Sequence, residues 1–289
     1  MMHPTPGFYF SQRLKLHYLD WGNTDAPPLI LIHGGMDHCR NWDWVVQHLQ
    51  PRYHVIAPDL RGHGDSQWAD AGNYDLMDFV YDIHQLITQK NLPPVTIISH
   101  SLGGAVALHY AGLYPEKVER LIAIEGLGPS PKMLQEREQK AYATHVREWF
   151  DRLHQTSGRS AKRYPSIADA TARMQAANPH LTLDQAKHLT IHGILQNEDG
   201  SFSWKFDNYL HVFPPFGIPM HNLHELWASI ECPTLLIRGE NSWASNPAID
   251  GRAKHFKNAQ VVNISDAGHW VHHDQLAEFI NTITPFLEN

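Results

Sequence analysis

Ser101 lies in the run Ser99-His100-Ser101-Leu102-Gly103-Gly104, between an apolar stretch (Pro94-Val95-Thr96-Ile97-Ile98) and a small-residue stretch (Ala105-Val106-Ala107-Leu108). An extended run that breaks sharply into a helix holds a serine Oγ at the tip of the turn, with the serine's own N–H strained outward. The next N–H, that of Leu102, falls at a helix N-terminus, where an oxyanion is stabilised. Gly103 and Gly104 supply the space that two closely approaching backbones need, whereas Ser99 stands where glycine would be roomier and should fit with some strain. A second set of reactive side chains is His269, His272 and His273, an H-x-x-H-H cluster among 22 histidines. No cysteine or paired carboxylate motif accompanies it, so a metal is not expected there. The other histidines are spread over loops and helix faces and are expected to be mostly solvated.

Several segments must position this chemistry. Pro28-Leu29-Ile30-Leu31-Ile32 is apolar throughout and stops at His33-Gly34-Gly35-Met36. Tyr53-His54-Val55-Ile56-Ala57 enters Pro58-Asp59-Leu60-Arg61-Gly62-His63-Gly64-Asp65-Ser66. Val118 to Ile124 runs into Glu125-Gly126-Leu127-Gly128, and Pro233-Thr234-Leu235-Leu236-Ile237 runs into Arg238-Gly239-Glu240. Short continuous apolar runs bounded by turns read as strands buried on both faces. From 129 to 229 such runs stop. Polar, helix-prone stretches at 132–155, 167–178 and 182–196 replace them, followed by the aromatics Trp204, Phe206, Tyr209, Phe213, Phe216 and Trp227. That aromatic set is expected to form the segment's own small core, with one or two members lining a pocket.

The 289 residues suffice for one large core plus an insertion. A formal charge of −7, with no basic stripe to offset it, argues against nucleic acid or an anionic membrane as partner. No run approaches the roughly 18 apolar residues of a membrane span. Met1 to Gly7 lacks a cationic region followed by an apolar stretch, so a cytoplasmic location is the expectation. Cys39 and Cys232 are too few to frame disulfides.

In order and interval these segments resemble the α/β-hydrolase superfamily from Leu16 to Phe286. The resemblance implies a mostly parallel central sheet flanked by helices, with a helical cap between strands six and seven. The core would comprise residues 1–128 and 230–289, and the cap 129–229. Ser101 would be the nucleophile on the elbow, His269 in the Ala267-Gly268-His269-Trp270 turn the general base, and the N–H groups of Leu102 and Gly35 or Met36 the oxyanion hole. His100 and Trp243, beside the nucleophile and in the turn after strand seven, would touch substrate. Asp59 and Arg61 would be a loop-fixing pair. The acid departs from the family's pattern, because the turn that usually carries an Asp reads Gly239-Glu240-Asn241-Ser242-Trp243. Glu125, at the end of strand six, resembles the acid position of some haloalkane dehalogenases, and Glu240 and Asp266 are the rival carboxylates.

A serine nucleophile sets the chain apart from the relatives that attack with Asp, and similarity to the serine-hydrolase-like branch implies acyl transfer to water without cofactor or metal. The expected partner is a small-molecule ester, cleaved by a carboxylesterase acting on small to medium acyl groups. Lactonase, thioesterase and C–C bond hydrolase activities use the same triad, a perhydrolase side activity would be a matter of pocket polarity, and a ligand receptor with little turnover is a further reading of the missing Asp.

Overall fold

The apolar runs become the parallel part of one eight-stranded sheet in the computed structural model, which describes residues 3–70, 72, 74–212, 214–215 and 217–288. Phe213 and Phe216 lie outside the described residues. The strands are β1 (Thr5–Ser11), β2 (Leu14–Asp20), β3 (Pro28–Ile32), β4 (His54–Pro58), β5 (Val95–His100) and β6 (Val118–Ile124), then, beyond a short hairpin of β7 (Ile194–Gln196) and β8 (Phe202–Trp204), β9 (Thr234–Gly239) and β10 (Ala259–Ile264). Their order across the sheet is β1-β2-β4-β3-β5-β6-β9-β10. The β1–β2 and β2–β4 pairs are antiparallel and all later pairs parallel. β6 therefore lies between the serine strand β5 and β9, the seventh strand from the N-terminus within this sheet. Leu29, Ile30, Leu31 and Ile32 are all fully buried, because both faces of β3 are covered.

One face is covered by α2 (Leu76–Gln89) and α3 (Leu102–Leu113), the other by α1 (Asp43–Leu49) and the C-terminal helix α9 (Leu276–Glu288). Between β6 and β9 the chain leaves the sheet as α4 (Pro131–Glu138), α5 (Tyr142–Ser157), α6 (Ile167–Ala177), α7 (Leu183–Gly193), the β7–β8 hairpin and α8 (Met220–Ala228). Ser130, Ser166 and Thr182 cap α4, α6 and α7 with their side-chain oxygens, satisfying backbone N–H groups that a helix start leaves free. The last of these helices sits differently from the expectation that the cap runs to 229. Trp227 of α8 is 2 % exposed and stacks on Phe256, and α8 packs against α3 as part of the main core. Phe206 and Tyr209 also pack on that core rather than on a separate one, whereas Trp204 joins Tyr164, Ala170 and Ile194 in a small cluster of the insertion. Among the described residues no helix is long and apolar enough to cross a membrane.

Candidate active site

Three neighbouring strand ends bring the candidate side chains together, and the backbone ladder aligns them. The Ser101 N–H donates to the Ile124 carbonyl of β6 at 2.8 Å, and the Glu125 N–H donates to the Ile237 carbonyl of β9 at 2.9 Å. The serine N–H is thus held in the sheet and not strained outward as the turn had implied. Both residues have positive φ, 51° each, a conformation that costs a non-glycine residue of order 1–3 kcal/mol. The cost is offset by the packing that fixes the two turns. A Cβ on Gly104 would stand 2.4 Å from the Gly126 Cα, so the helix after Ser101 and the turn after Glu125 can meet only as glycine on glycine. Ser99 has an ordinary negative φ, and its buried Oγ donates to the Ile122 carbonyl at 3.0 Å, which replaces the expected strain with a satisfied hydrogen bond.

The reactive side chains form one hydrogen-bonded chain. His269 Nε2 lies 3.0 Å from Ser101 Oγ, and His269 Nδ1 lies 2.5 Å from Glu125 Oε2. With Nδ1–H donating to the carboxylate, Nε2 is left as the acceptor for the serine hydroxyl. The Glu125 side chain is fully buried. A buried carboxylate needs donors, and three converge on it. Besides His269, the Gly239 N–H donates to Oε1 at 3.0 Å, and the Ser242 hydroxyl donates to Oε2 at 2.5 Å. Ser242, read from the sequence as the place where an acid is missing, thus donates to the buried Glu125 carboxylate. A carboxylate there would face Glu125 as a like charge, so a glutamate at the end of β6 goes with a donor at the end of β9. Glu240 and Asp266 are both exposed, and neither is bonded to His269.

The turn expected to receive the oxyanion follows β3. Met36 has φ 60°, and the turn His33-Gly34-Gly35-Met36 brings it to the mouth of the cleft, where it is 46 % exposed. Gly34 is the glycine that this turn requires, since a Cβ there would lie 2.7 Å from His100 Nδ1 and 3.3 Å from the Ser101 Cβ. The N–H of Leu102 is the first of α3 and has no partner within the helix. His33 is fully buried and neutral. Its Nδ1–H donates to the Gly34 carbonyl and its Nε2 accepts from the Leu60 N–H, while burial pushes its pKa down to about 3. The loop after β4 is fixed, but not by a pair between Asp59 and Arg61. Asp59 accepts from His17 at 2.7 Å and from the N–H groups of Cys39 and Asp65, and Arg61 forks onto Asp82 with two bonds of 2.6 Å.

His100 and Trp243, both expected at the substrate, occupy different environments. His100 is 1 % exposed, and its Nε2–H donates to the His269 carbonyl at 2.9 Å, so it lies behind the imidazole instead of on an open wall. Trp243 is 74 % exposed and leans over the His269 ring with 4.9 Å between centroids. Two carboxylates that the sequence had not singled out also act on this turn. Asp274 Oδ2 accepts from the Gly268 N–H at 2.8 Å, and Asp37 Oδ2 accepts from Asn41 at 2.5 Å and from the Trp270 ring N–H at 3.4 Å. Their positions, six residues after the glycine of the G-H turn and next to the oxyanion turn, were the only signals. The H-x-x-H-H cluster diverges. His269 faces Ser101, whereas His272 and His273 are buried, with no hydrogen-bond partner among the described residues for either ring. Most of the remaining histidines are exposed or half-buried, as expected, but His17, His33, His38, His54, His63 and His109 are buried too.

Beside Met36 a cleft of about 260 Å³ is lined by Asp37, His38, Met174, Trp204 and Phe206, with the last two rings stacked 9° from parallel. A larger hollow of about 310 Å³ lies behind Glu125, among Leu127, Ser245 and Arg252, and is not on the serine's side of the carboxylate.

The family model described as alpha/beta hydrolase fold matches residues 27–276. The chain is 25 % identical to the esterase Rv0045c of Mycobacterium tuberculosis, over 99 % of this chain and 90 % of that one. It is also 25 % identical to the sn-1-specific diacylglycerol lipase ABHD11 of Mus musculus, over 95 % and 85 % respectively. Among solved structures, the thioesterase domain from the curacin biosynthetic pathway superposes with a TM-score of 0.84 at 24 % identity, covering 97 % of this chain and 99 % of that one. This last likeness concerns the fold.

Proposed function

For a chain that belongs to the α/β-hydrolase fold family, we propose a serine carboxylesterase that cleaves small to medium acyl esters through an acyl-enzyme on Ser101. The observation that carries this reading is the continuous chain from Ser101 Oγ through His269 to Glu125. Ser101 Oγ attacks the ester carbonyl carbon as its proton passes to His269 Nε2. Glu125 keeps the imidazole in the Nδ1–H tautomer and stabilises the imidazolium. The oxyanion of the tetrahedral intermediate is received by the N–H groups of Leu102 and of Gly35 or Met36. In comparable sites one such donor is worth about 3–4 kcal/mol. His269 then returns the proton to the leaving alkoxide, and a water activated by the same imidazole releases the acid. The names of the two relatives, an esterase and a diacylglycerol lipase, support an ester as substrate. The charged α4, none of whose residues is buried, supports an acyl group of limited length.

Two measurements on the intact protein test this. A fluorophosphonate should label Ser101 alone, and Ser101→Ala should abolish hydrolysis of p-nitrophenyl butyrate while the circular dichroism spectrum is unchanged. Labelling at another serine, or substantial turnover by the alanine variant, would remove Ser101 from the role.

A further inference from the structure

Away from Ser101, the seam between the insertion and the core brings together side chains that the hydrolytic reaction does not use. His188 and His192 are four residues apart on α7 and therefore share one helix face. Their rings stand 4.6 Å apart between centroids, at 63°. Asp43, the first residue of α1, faces them from the core, with Oδ2 3.1 Å from His188 Nε2. One ligand atom from each of the three residues lies within 4.8 Å of the others. We propose that Asp43, His188 and His192 form a binding site for a divalent late transition ion of the zinc class, joining the insertion to the core.

The chemistry of the donor set fits such an ion. Two imidazoles and one carboxylate suit zinc and its neighbours, whereas magnesium and calcium prefer oxygen throughout. Ligand atoms about 2.1 Å from a tetrahedral ion stand roughly 3.4 Å from one another, so only small side-chain rotations are needed to close the present arrangement. Asp43 also keeps a second oxygen available. Oδ1 is buried without a hydrogen-bond partner among the described residues, while Arg40 holds Oδ2 through Nε at 2.7 Å and Nη2 at 2.6 Å. Arg40 therefore orients the carboxylate and at the same time opposes a cation by charge. The other grouping of this kind, His17, Cys39 and Asp59, is weaker, because both oxygens of Asp59 already accept hydrogen bonds from His17 and from backbone N–H groups.

The position gives the ion a structural consequence. The segment from Asp37 to Asp43 follows the oxyanion turn directly, and α7 already touches it through the His38 Nε2–H, which donates to the Leu189 carbonyl at 2.9 Å. An ion shared by α1 and α7 would fix the insertion over the cleft.

Isothermal titration of the chelator-treated, full-length protein with zinc chloride tests the site without reference to catalysis. One saturable equivalent and a rise in Tm are expected, with no comparable response to magnesium. His192→Ala and, separately, His188→Gln should weaken zinc by at least tenfold, the least that loss of even an outer-shell partner of a metal site costs. Arg40→Gln should tighten it, and His269→Ala should leave that equivalent intact. No saturable binding by the wild-type protein would overturn the proposal. So would undiminished binding in both α7 variants, or loss of the equivalent in His269→Ala, which would move the ion to the imidazole beside Ser101.

Discussion

That Ser101, Glu125 and His269 come together could be expected from local sequence, because each sits on a turn whose backbone dictates its neighbours: an elbow, a strand end before glycine, and a G-H turn. Ser242 could not be read in the same way. Its hydroxyl matters only because β6 and β9 are adjacent and Glu125 reaches across between them, a fact of sheet order that no local motif carries. His100 was misplaced for a related reason, since only the packed turn shows that its ring faces the His269 carbonyl. The expected consequences are specific. Glu125→Gln should lower kcat by about 10⁴, or roughly 5.5 kcal/mol, by misplacing the imidazole proton. Ser242→Ala removes one donor from a buried carboxylate, which costs about 1–3 kcal/mol. The informative variant is Ser242→Asp, whose sign should depend on its background. Alone it sets two carboxylates against each other and should damage the enzyme, but in Glu125→Gln it restores an acid and should recover part of the lost kcat. Steady-state kinetics on the four members of this cycle measure the coupling. Equal effects of Ser242→Asp in both backgrounds would mean that the two positions do not share the imidazole.

At the scale of elements, the strands were legible because strands buried on both faces leave uninterrupted apolar runs, and their ends mark where the site must lie. The insertion was legible as helical but not in its limits. β7 fell at the end of a stretch expected to be helix, and α8 looked like cap because its contacts are tertiary: Trp227 finds Phe256, 29 residues later in the chain. The tightest junction between elements is Gly104 against Gly126, with a built Cβ on Gly126 only 2.5 Å from the Gly104 Cα. Backbone cannot yield as a side-chain tip can, so Gly126→Ala should destabilise by about 1–3 kcal/mol, the range of an overpacked core. It should also lower kcat, since the residue pushed aside adjoins Glu125. Thermal unfolding and kinetics on the same preparation check this, and a variant with normal Tm and kcat would show the junction to be loose. If Ser101 acts as proposed, the insertion should set the chain-length preference. α4 has no buried residue and carries Lys132, Glu136, Arg137 and Glu138, so it offers no apolar lid of the kind an oil surface opens. p-Nitrophenyl butyrate should be turned over far faster than the palmitate, with no jump in rate at an oil–water interface; interfacial activation on a long-chain triglyceride would contradict this.

Across the whole molecule, the histidines set how stability responds to acid. Histidine content is visible in the composition, but burial is not, and burial decides the sign. Burial pushes the pKa of His33 and His273 down to about 3 and that of His63 to about 4, and holds His100 and His272 well below the ordinary histidine value. A group whose folded pKa is depressed takes up its proton first in the unfolded chain. The stability it contributes is complete above an unfolded pKa of about 6.5 and falls as the pH drops from there towards the folded value. Each such histidine contributes a slope of about 1.4 kcal/mol per pH unit, so three together give roughly 4. Asp37, Asp82 and Asp274, whose pKa values burial raises, act in the opposite sense, but only above the ordinary carboxylate pKa and up to their own raised values. The protein should therefore lose stability steeply below about pH 6, well before its carboxylates titrate in the unfolded chain. His272 isolates the effect. Its ring stacks on Trp42 at 4.5 Å, has His100 and His273 as its nearest titratable neighbours, and makes no hydrogen bond through either nitrogen among the described residues. An apolar side chain gives up the stacking on Trp42 there but no hydrogen bond. His272→Leu should leave the free energy of urea unfolding at pH 7.5 within about 1 kcal/mol of the wild-type value and reduce its slope between pH 6 and 5 by about 1.4 kcal/mol per unit. An unchanged slope would mean that His272 takes up a proton in the folded protein as readily as in the unfolded chain, which a ring enclosed by Trp42, His100 and His273 should not do.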